Sequence, residues 1–196
     1  MERRKDGRWH FDVLAGEKEI LARRIGRNEL TAISTMHAYV EAQREYAADD
    51  HDGKGEQYAR RLLSSDGKRD GLFWPSSEGE QESPLGPLVA YARDAGYAMK
   101  SGVPTPYHGY VFRILKAQGE HAGGGAREYV IAGRMIGGFA LIATPAKYGV
   151  SGVMTFIVNQ DDQVFQKDLG PDTRAIAADI DAFEPDPSWT QIDDAK

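Results

Sequence analysis

The fold is decided by residues 139–167, FALIATPAKYGVSGVMTFIVNQDDQVFQK, which contain three apolar runs separated by two turn-forming segments. The first turn segment runs from Pro145 to Gly152, and the second contains Asn159, Asp161 and Asp162. Short apolar runs bounded by Gly, Pro, Asn and Asp predict β-strands. Because short connections suit antiparallel neighbours, this stretch predicts a β-meander.

Two earlier runs extend the predicted sheet, whereas most of the chain before Tyr107 has helical spacing. A short strand or extended arm is expected around Trp9. Gly26 is expected to end or kink the first helix. The predicted strands are Tyr110–Leu115, Glu128–Ile131, Phe139–Thr144, Val153–Asn159 and Val164–Lys167. The predicted helices are Glu17–Ile25, Glu29–Ala48, Glu56–Leu63 and Pro87–Ala95, with a short last helix over residues 171–183.

Helices that precede a sheet without alternating with its strands indicate the α+β class. A length of 196 residues fits a single domain over residues 1–196. Its helical part is expected at 16–98 and its sheet, a meander of about four or five strands, at 107–168. Inside the helical part, residues 64–86 form a long polar loop. Loops of that length tend to be functional or mobile.

The composition excludes several classes of protein. The chain has no cysteine, which rules out disulfides, thiolate metal sites and a cysteine nucleophile. A net charge of −6 without a concentrated basic patch argues against nucleic-acid binding. No stretch approaches the roughly 18 apolar residues of a membrane-spanning helix. The charged start is not a secretory signal, so we expect either a cytoplasmic protein or one whose leader has been removed.

Two large aromatic residues, Phe73 and Trp74, lie within the polar 64–86 loop. Buried, they would pin the loop to the body of the protein. Exposed, they would form a contact for a partner or a glycan chain.

A second group of candidate residues lies where the first long strand begins. Tyr107 and Tyr110 flank His108 there, and aromatic and imidazole groups together can form a ligand-binding rim or supply an acid or base. A role for His108 at the strand end is the structural alternative. Arg134, in a glycine-rich turn, is a candidate for binding an anion or a charge that faces solvent.

The acidic turn after the second predicted helix is a candidate calcium site. The regular helix–loop–helix calcium motif fails there, because Lys54 and Arg61 occupy its fifth and twelfth ligand positions. An irregular site using Asp49, Asp52 and Glu56 remains, against the alternative of a solvated turn that ends the helix.

No catalytic motif has the required spacing. Residues 123–125, Gly-Gly-Gly, lack the following Lys-Ser or Lys-Thr of a phosphate loop and are expected to form a flexible hairpin tip. An enzyme would require His108, Asp70 or Arg134 to converge within hydrogen-bonding distance.

Seven segments of the chain resemble the bacterial family catalogued as domain of unknown function 2950. They are Arg23–Leu30, Tyr39–Tyr46, Ser83–Leu88, Tyr107–Tyr110, Gly137–Leu141, Tyr148–Asn159 and Lys167–Pro171. The resemblance implies an exported, envelope-associated protein, periplasmic or secreted, without a leader in this sequence, and it implies no activity. More remotely, the order of helix, loop and antiparallel sheet resembles a type IV pilin or pseudopilin head, a fold-level analogy.

Two main hypotheses follow for the function. The first is a non-catalytic binding or scaffolding protein of the envelope, without a cofactor, whose partner is another envelope protein or a polymer. The alternative is a hydrolase acting on an envelope polymer. A calcium-stabilised domain is a third, minor hypothesis.

Overall fold

The structure is a computed structural model, and it describes residues 2–3, 9–10, 12–51, 53, 55–77, 79–94, 96–97 and 105–193. Its helices and strands confirm the α+β class, with a long helix preceding an antiparallel sheet. In chain order they are β1 (Glu2–Arg3), β2 (Trp9–His10), α1 (Val13–Ala47), α2 (Gly86–Asp94), β3 (Tyr110–Leu115), β4 (Ala117–Gln118), β5 (Arg127–Glu128), β6 (Val130–Ile131), β7 (Arg134–Met135), β8 (Ala140–Pro145), β9 (Met154–Asn159), β10 (Val164–Asp168), α3 (Thr173–Ala178), β11 (Ala182–Phe183) and β12 (Thr190–Gln191).

Helix α1 is a single helix of 35 residues, so the predicted break at Gly26 is wrong. An interior glycine costs a helix only about 1 kcal/mol relative to alanine, and no proline reinforces the break. The helix begins at Asp12, whose carboxylate accepts a hydrogen bond from the Ala15 backbone N–H at 2.9 Å. Its first half is largely exposed, with Val13 65% and Ile20 70% accessible. The buried residues of α1 begin at Ala32.

The main sheet has five strands in the order β3-β8-β9-β10-β12, and every neighbouring pair is antiparallel. This confirms the predicted meander from Tyr110 onwards. The fifth strand, however, is β12 near the C-terminal end, because the predicted strand Glu128–Ile131 is not part of this sheet. Its two halves, β5 and β6, pair separately with β4 and β7.

The change of partner occurs at Tyr129, which is fully buried. Its backbone N–H donates to the Lys116 carbonyl at 2.7 Å, and its carbonyl accepts from Ile136 and Gly137. The phenol hydroxyl donates to Gln118 Oε1 at 3.0 Å. Bonds to two segments, residues 116–118 and 136–137, therefore hold Tyr129 at a corner where one strand was expected.

The two faces of the main sheet are covered by different elements. Tyr110 lies beside Glu29 of α1, and its hydroxyl donates to the Met154 carbonyl at 2.8 Å. Arg113, three residues later and therefore on the opposite face, donates to the Ala177 and Ile180 carbonyls at the end of α3. Strands β8 and β9 lie between the two layers and are almost completely buried.

The segment from Glu56 to Leu63 is not the helix predicted from its sequence. Gln43 of α1, itself buried, holds the segment in an extended form: its amide donates to the Ala59 carbonyl at 2.9 Å and accepts from the Ala59 N–H at 2.8 Å. Tyr58 also bonds to Met135 through the backbone at 2.8 Å. Backbone groups bonded to α1 and β7 are not free to make a helical turn, so tertiary contacts override the local pattern.

The other predicted helices are present with changed ends. Helix α2 matches the predicted helix over 87–95 closely, whereas α3 ends at Ala178 instead of extending to Phe183. The Asp181 and Phe183 carbonyls accept hydrogen bonds from Lys116 and Gly119, so β11 forms next to β4. None of the described helices is both long and apolar enough to cross a membrane.

Candidate functional site

Strand β3 is one edge of the main sheet, and its exposure is unusual for an apolar strand. It pairs with β8 on one side only. Tyr110 and Leu115 at its ends are fully buried, but the four residues between them, Val111 to Ile114, are only half-buried. Three of those four are large and apolar, so β3 presents apolar surface beside an open strand edge.

The direction of the β3 backbone groups follows from the bonds at its beginning. The Gly109 carbonyl accepts from Ala146, next to β8, whereas the N–H and C=O of Tyr110 bond to Tyr107 on the other side, at 3.0 and 2.8 Å. Backbone groups alternate in direction along an antiparallel strand. The N–H and C=O of Phe112 and Ile114 therefore point away from β8, and within the described part of the chain no backbone group bonds to these four groups.

A groove of about 860 Å³ surrounds this edge. Thr35 and Tyr39 of α1 line it on one side, and Ala177 and Ala178 of α3 line it on the other. The rest of its wall comes from residues 60–63, from Leu85, Leu88 and Val89, from residues 105–107, and from Leu141, Ile142, Thr144 and Ala146 in and next to β8. The lining is predominantly apolar, and the volume lies within the range of about 300–1,000 Å³ that is usual for ligand sites.

Among the described residues, the charged ones that line the groove are all cationic: Arg60, Arg61, Arg113 and Arg174. No Asp or Glu of the described ranges lines it, although the chain has 30 acidic and 24 basic residues. An adjoining hollow of about 420 Å³ shares Arg60, Arg61 and Ile114 with the groove and adds Lys116 and Asp70. The groove therefore has the opposite sign of charge to the protein as a whole.

The four arginines differ in how far their charge is already neutralised. Arg113 is 3.1 Å from Asp181, and Arg61 is 3.8 Å from Asp70. Arg60 donates to the Gly133 carbonyl at 2.8 Å, a neutral acceptor. No described carboxylate pairs with Arg60 or with Arg174. These two arginines are available to an anionic ligand.

The aromatic residues of the long loop lie against the body of the protein. Trp74 is 4% exposed, its indole N–H donates to the Gln81 carbonyl at 3.3 Å, and its ring centroid is 6.5 Å from that of Tyr46 on α1. Phe73 is half-buried, with the Arg93 guanidinium 5.2 Å from its ring centroid. The loop is thereby fixed between α1 and α2, and the Trp74 ring has little accessible surface.

The aromatic residues at the start of β3 do not form one open rim. Tyr110 and Tyr107 are both buried, and of the two only Tyr107 lines the groove. His108 has a left-handed backbone, φ 44°, and its ring lies 4.5 Å from Tyr107, 5.1 Å from Tyr97 and 6.3 Å from Tyr91, centroid to centroid. Burial lowers the pKa of His108, and its buried Nε2 has no hydrogen-bond partner among the described residues.

The three residues considered for catalysis are each bonded elsewhere. Arg134 donates to the Gly55 and Glu56 carbonyls at 2.9 and 3.2 Å, which ties the segment after α1 to β7. Asp70 accepts from the backbone and hydroxyl of Ser65. Burial opposes ionisation of Asp70, but these bonds and the Arg61 charge outweigh it and lower the pKa of the carboxyl. No hydrogen bond joins any two of His108, Asp70 and Arg134.

The acidic turn gives no further support for calcium. The Asp49 carboxylate accepts from the Gln81 amide at 2.7 Å, and Asp52 lies outside the described residues. Within the described ranges, no group of three or more His, Cys, Asp or Glu side chains is placed to hold a metal ion. The site using Asp49, Asp52 and Glu56 stays a prediction.

Apart from Tyr107, sequence reasoning did not identify the groove residues. The groove joins residues 60–63, 111–114 and 174–178, which are distant along the chain and carry no common motif. The signal available in the sequence is the apolar stretch Val111-Phe112-Arg113-Ile114, in which the single charge lies among large apolar residues. It does not say which strand edge is open.

The fold defines an α+β protein with a long N-terminal helix, a five-stranded antiparallel meander and a cationic groove at its β3 edge. The family model described as "Protein of unknown function (DUF2950)" matches residues 3–192, so the chain belongs to that family, as its sequence segments predict. No curated protein and no solved structure matches the chain significantly. Likeness to a pilin head and export to the envelope therefore stay predictions.

Proposed function

We propose that this protein is a non-catalytic binding module of the bacterial envelope and that its ligand occupies the groove along β3. The envelope location is the expectation that the family resemblance carries. The observation that supports binding is the groove itself: a mainly apolar hollow of about 860 Å³ in an acidic protein, whose charged lining within the described part of the chain is cationic.

The arrangement of polar groups favours binding over catalysis. A catalytic site needs an acid or base within hydrogen-bonding distance of a second reacting group. Asp70 and Arg134 are bonded to their own segments, and His108 contacts tyrosine rings. The groove instead offers apolar surface, unpaired backbone groups and arginines, which bind a ligand without transforming it.

Photo-crosslinking from the groove tests this proposal. A benzophenone amino acid is placed at Ala178 or Arg174, which are exposed and line the groove, and at Glu45 as an exposed control on α1. The variants are exported in the native bacterium and irradiated. We expect discrete adducts from Ala178 and Arg174 and none from Glu45. Equal adducts from all three positions, or none from the groove, would show that the groove is not a binding site.

A hydrolase acting on an envelope polymer is a second candidate function, and one observation favours it. Among the described residues the buried Nε2 atom of His108 has no hydrogen-bond partner, and burial lowers the pKa of this imidazole, which favours the neutral form that can act as a base. Incubation with dye-labelled peptidoglycan sacculi tests the idea. Release of soluble dye by the wild type that is lost in His108→Asn would support it, and no release by the wild type removes it for that polymer.

A further inference from the structure

We propose that the groove binds an extended polypeptide segment, alternately acidic and apolar, that adds to β3 as a sixth strand of the main sheet. This inference rests on the proposed binding function and names the chemistry of the ligand. An open strand edge is a ready template for pairing with another chain, and strand addition is an established mode of peptide recognition.

The backbone of β3 supplies the hydrogen bonds. Phe112 and Ile114 each direct an N–H and a C=O into the groove, and none of these groups has a backbone partner in the described structure. An antiparallel strand placed opposite would exchange two hydrogen bonds with each of these residues. Tyr107 already occupies the corresponding groups of Tyr110, which fixes where the added strand must stop.

The two sides of the groove determine which side chains the added strand needs. Residues directly opposite each other in an antiparallel pair place their side chains on the same face of the sheet. The residues opposite Phe112 and Ile114 therefore face α1, where the half-buried Phe112 and Ile114 form apolar surface. The residue between them faces α3, beside Arg113 and Arg174. An apolar residue, an acidic residue and a second apolar residue match this order.

The cations extend beyond the central position. Arg60 and Arg61 line both the groove and the hollow that contains Ile114 and Lys116, so they lie towards the end of β3. Acidic residues on both sides of the apolar-acidic-apolar core would lie opposite Val111 and Leu115 on the α3 side, where Arg113 and Arg174 are, and one of them would bring negative charge to the end of the strand near this second cluster. A five-residue pattern, acidic-apolar-acidic-apolar-acidic, follows.

Charge also decides against a second copy of this chain as the occupant. A copy that paired edge to edge through its own β3 would bring Arg113 and the arginines of its groove against the same residues. Like charges directly opposite each other destabilise strand pairs. An acidic segment of a different protein meets no such repulsion.

A peptide-binding experiment on the whole chain tests the proposal. The probe is the peptide Glu-Val-Glu-Val-Glu amide with fluorescein attached to its N-terminus through an aminohexanoyl spacer, titrated at low ionic strength by fluorescence anisotropy. One analogue carries N-methyl groups on both valines, which removes the donors to Phe112 and Ile114. The matched analogue carries them on the second and third glutamates, whose N–H groups point away from β3. We expect the first to bind about ten-fold or more weakly and the second to bind within about three-fold of the parent peptide.

Two protein variants separate the groove from general attraction of charge. Arg174→Glu should weaken binding about five-fold or more, whereas Arg24→Glu, the same charge change on the exposed part of α1, should leave it within about two-fold. Amide hydrogen exchange supplies the structural readout. Bound peptide should slow exchange at Phe112 and Ile114 and leave Phe156 in the central strand β9 unchanged.

Each other outcome overturns a defined part of the argument. Equal binding of the two methylated peptides, or unchanged exchange at Phe112 and Ile114, overturns strand addition. If exchange at these residues slows with rising protein concentration in the absence of peptide, a second copy of the chain covers the edge. That result also overturns the proposal of peptide binding by strand addition. If crosslinks form from Ala178 and Arg174 while the peptide fails to bind, the binding function stands and the ligand is not this kind of strand. If neither crosslinks nor peptide binding are observed, the proposed binding function fails as well.

Discussion

Replacement of Gln43 by leucine is the sharpest test of how the chain holds the segment after α1. Gln43 is completely buried, and its amide makes two hydrogen bonds with the backbone of Ala59, which is 1% exposed. It also donates to the Tyr39 hydroxyl at 3.0 Å. Gln43→Leu keeps a side chain of similar size at this position but leaves the Ala59 N–H and C=O buried without hydrogen-bond partners. Each such group costs about 1–3 kcal/mol, so the free energy of unfolding should fall by about 2–6 kcal/mol.

The hydroxyl of Tyr39 adds little to this figure, because it keeps its own bond to the Ala140 carbonyl at 3.3 Å. Urea unfolding followed by tryptophan fluorescence and circular dichroism measures the change. Gln57→Leu is the matched control, since Gln57 belongs to the same segment and its side chain makes no hydrogen bond within the described part of the chain; its effect should stay within about 0.5 kcal/mol. A loss below about 1 kcal/mol in Gln43→Leu, at an unchanged denaturant slope, would refute the claim that this amide keeps residues 56–63 out of a helix.

Four further predictions concern other parts of the molecule. Gly26→Ala should raise the free energy of unfolding by about 0.5–1 kcal/mol, because an added Cβ meets nothing within 4 Å and the helix is continuous; a lower melting temperature would contradict this. Trp74→Ala should lower it by about 3–5 kcal/mol and speed tryptic cleavage within residues 64–86, whereas an unchanged cleavage rate would show that the ring does not anchor the loop. Burial lowers the pKa of His108 in the folded state. Below the ordinary pKa of histidine, about 6.5, the unfolded state therefore binds more protons than the folded state. The His108 contribution to the free energy of unfolding should thus decrease as the pH falls from 7 to 5. Asparagine tolerates the left-handed backbone, so the His108→Asn variant should lose less stability than the wild type over that pH range in paired urea titrations. Equal losses in the two proteins would show that His108 is not the source of the pH dependence. If the calcium hypothesis holds, the melting midpoint should be higher in calcium than in chelator, and identical midpoints would end it.

The part of the fold that the sequence predicts is the part encoded by neighbouring residues. Strands β8, β9 and β10 follow one another through short turns, so the apolar runs and turn residues specify both the strands and their pairing. The wrong expectations share a different cause. Gln43 bonds to Ala59, sixteen residues away, and Tyr129 bonds to two other segments, and neither set of bonds leaves a periodic mark in the sequence.

The candidate groove was beyond sequence reasoning for the same reason. Arg60 and Arg174 are separated by more than half of the chain, and each is an ordinary surface arginine when considered alone. Their shared location depends on where α3 and the 56–63 segment pack around β3. For His108, the sequence indicated a candidate residue but not its surroundings. Its flanking tyrosines drew attention to it, whereas neither its left-handed backbone nor the proximity of its ring to Tyr91 and Tyr97 could be predicted.

The two edges of the main sheet differ in a way that bears on the binding proposal. At one edge, β12 is two residues long, polar and exposed. The part of β10 that β12 does not cover ends in the charged residues Lys167 and Asp168. Short strands and charged residues are the usual means by which a sheet edge resists pairing with another chain. The other edge, β3, is six residues long, carries large apolar side chains and has one charge, Arg113, which is turned towards α3. The β3 edge is open at Phe112 and Ile114, between the bonds that Tyr110 makes to Tyr107 and those that Lys116 makes to Asp181 and Tyr129. An open apolar edge favours pairing with another chain unless something covers it. The acidic strand proposed here would cover it and neutralise the arginines around it.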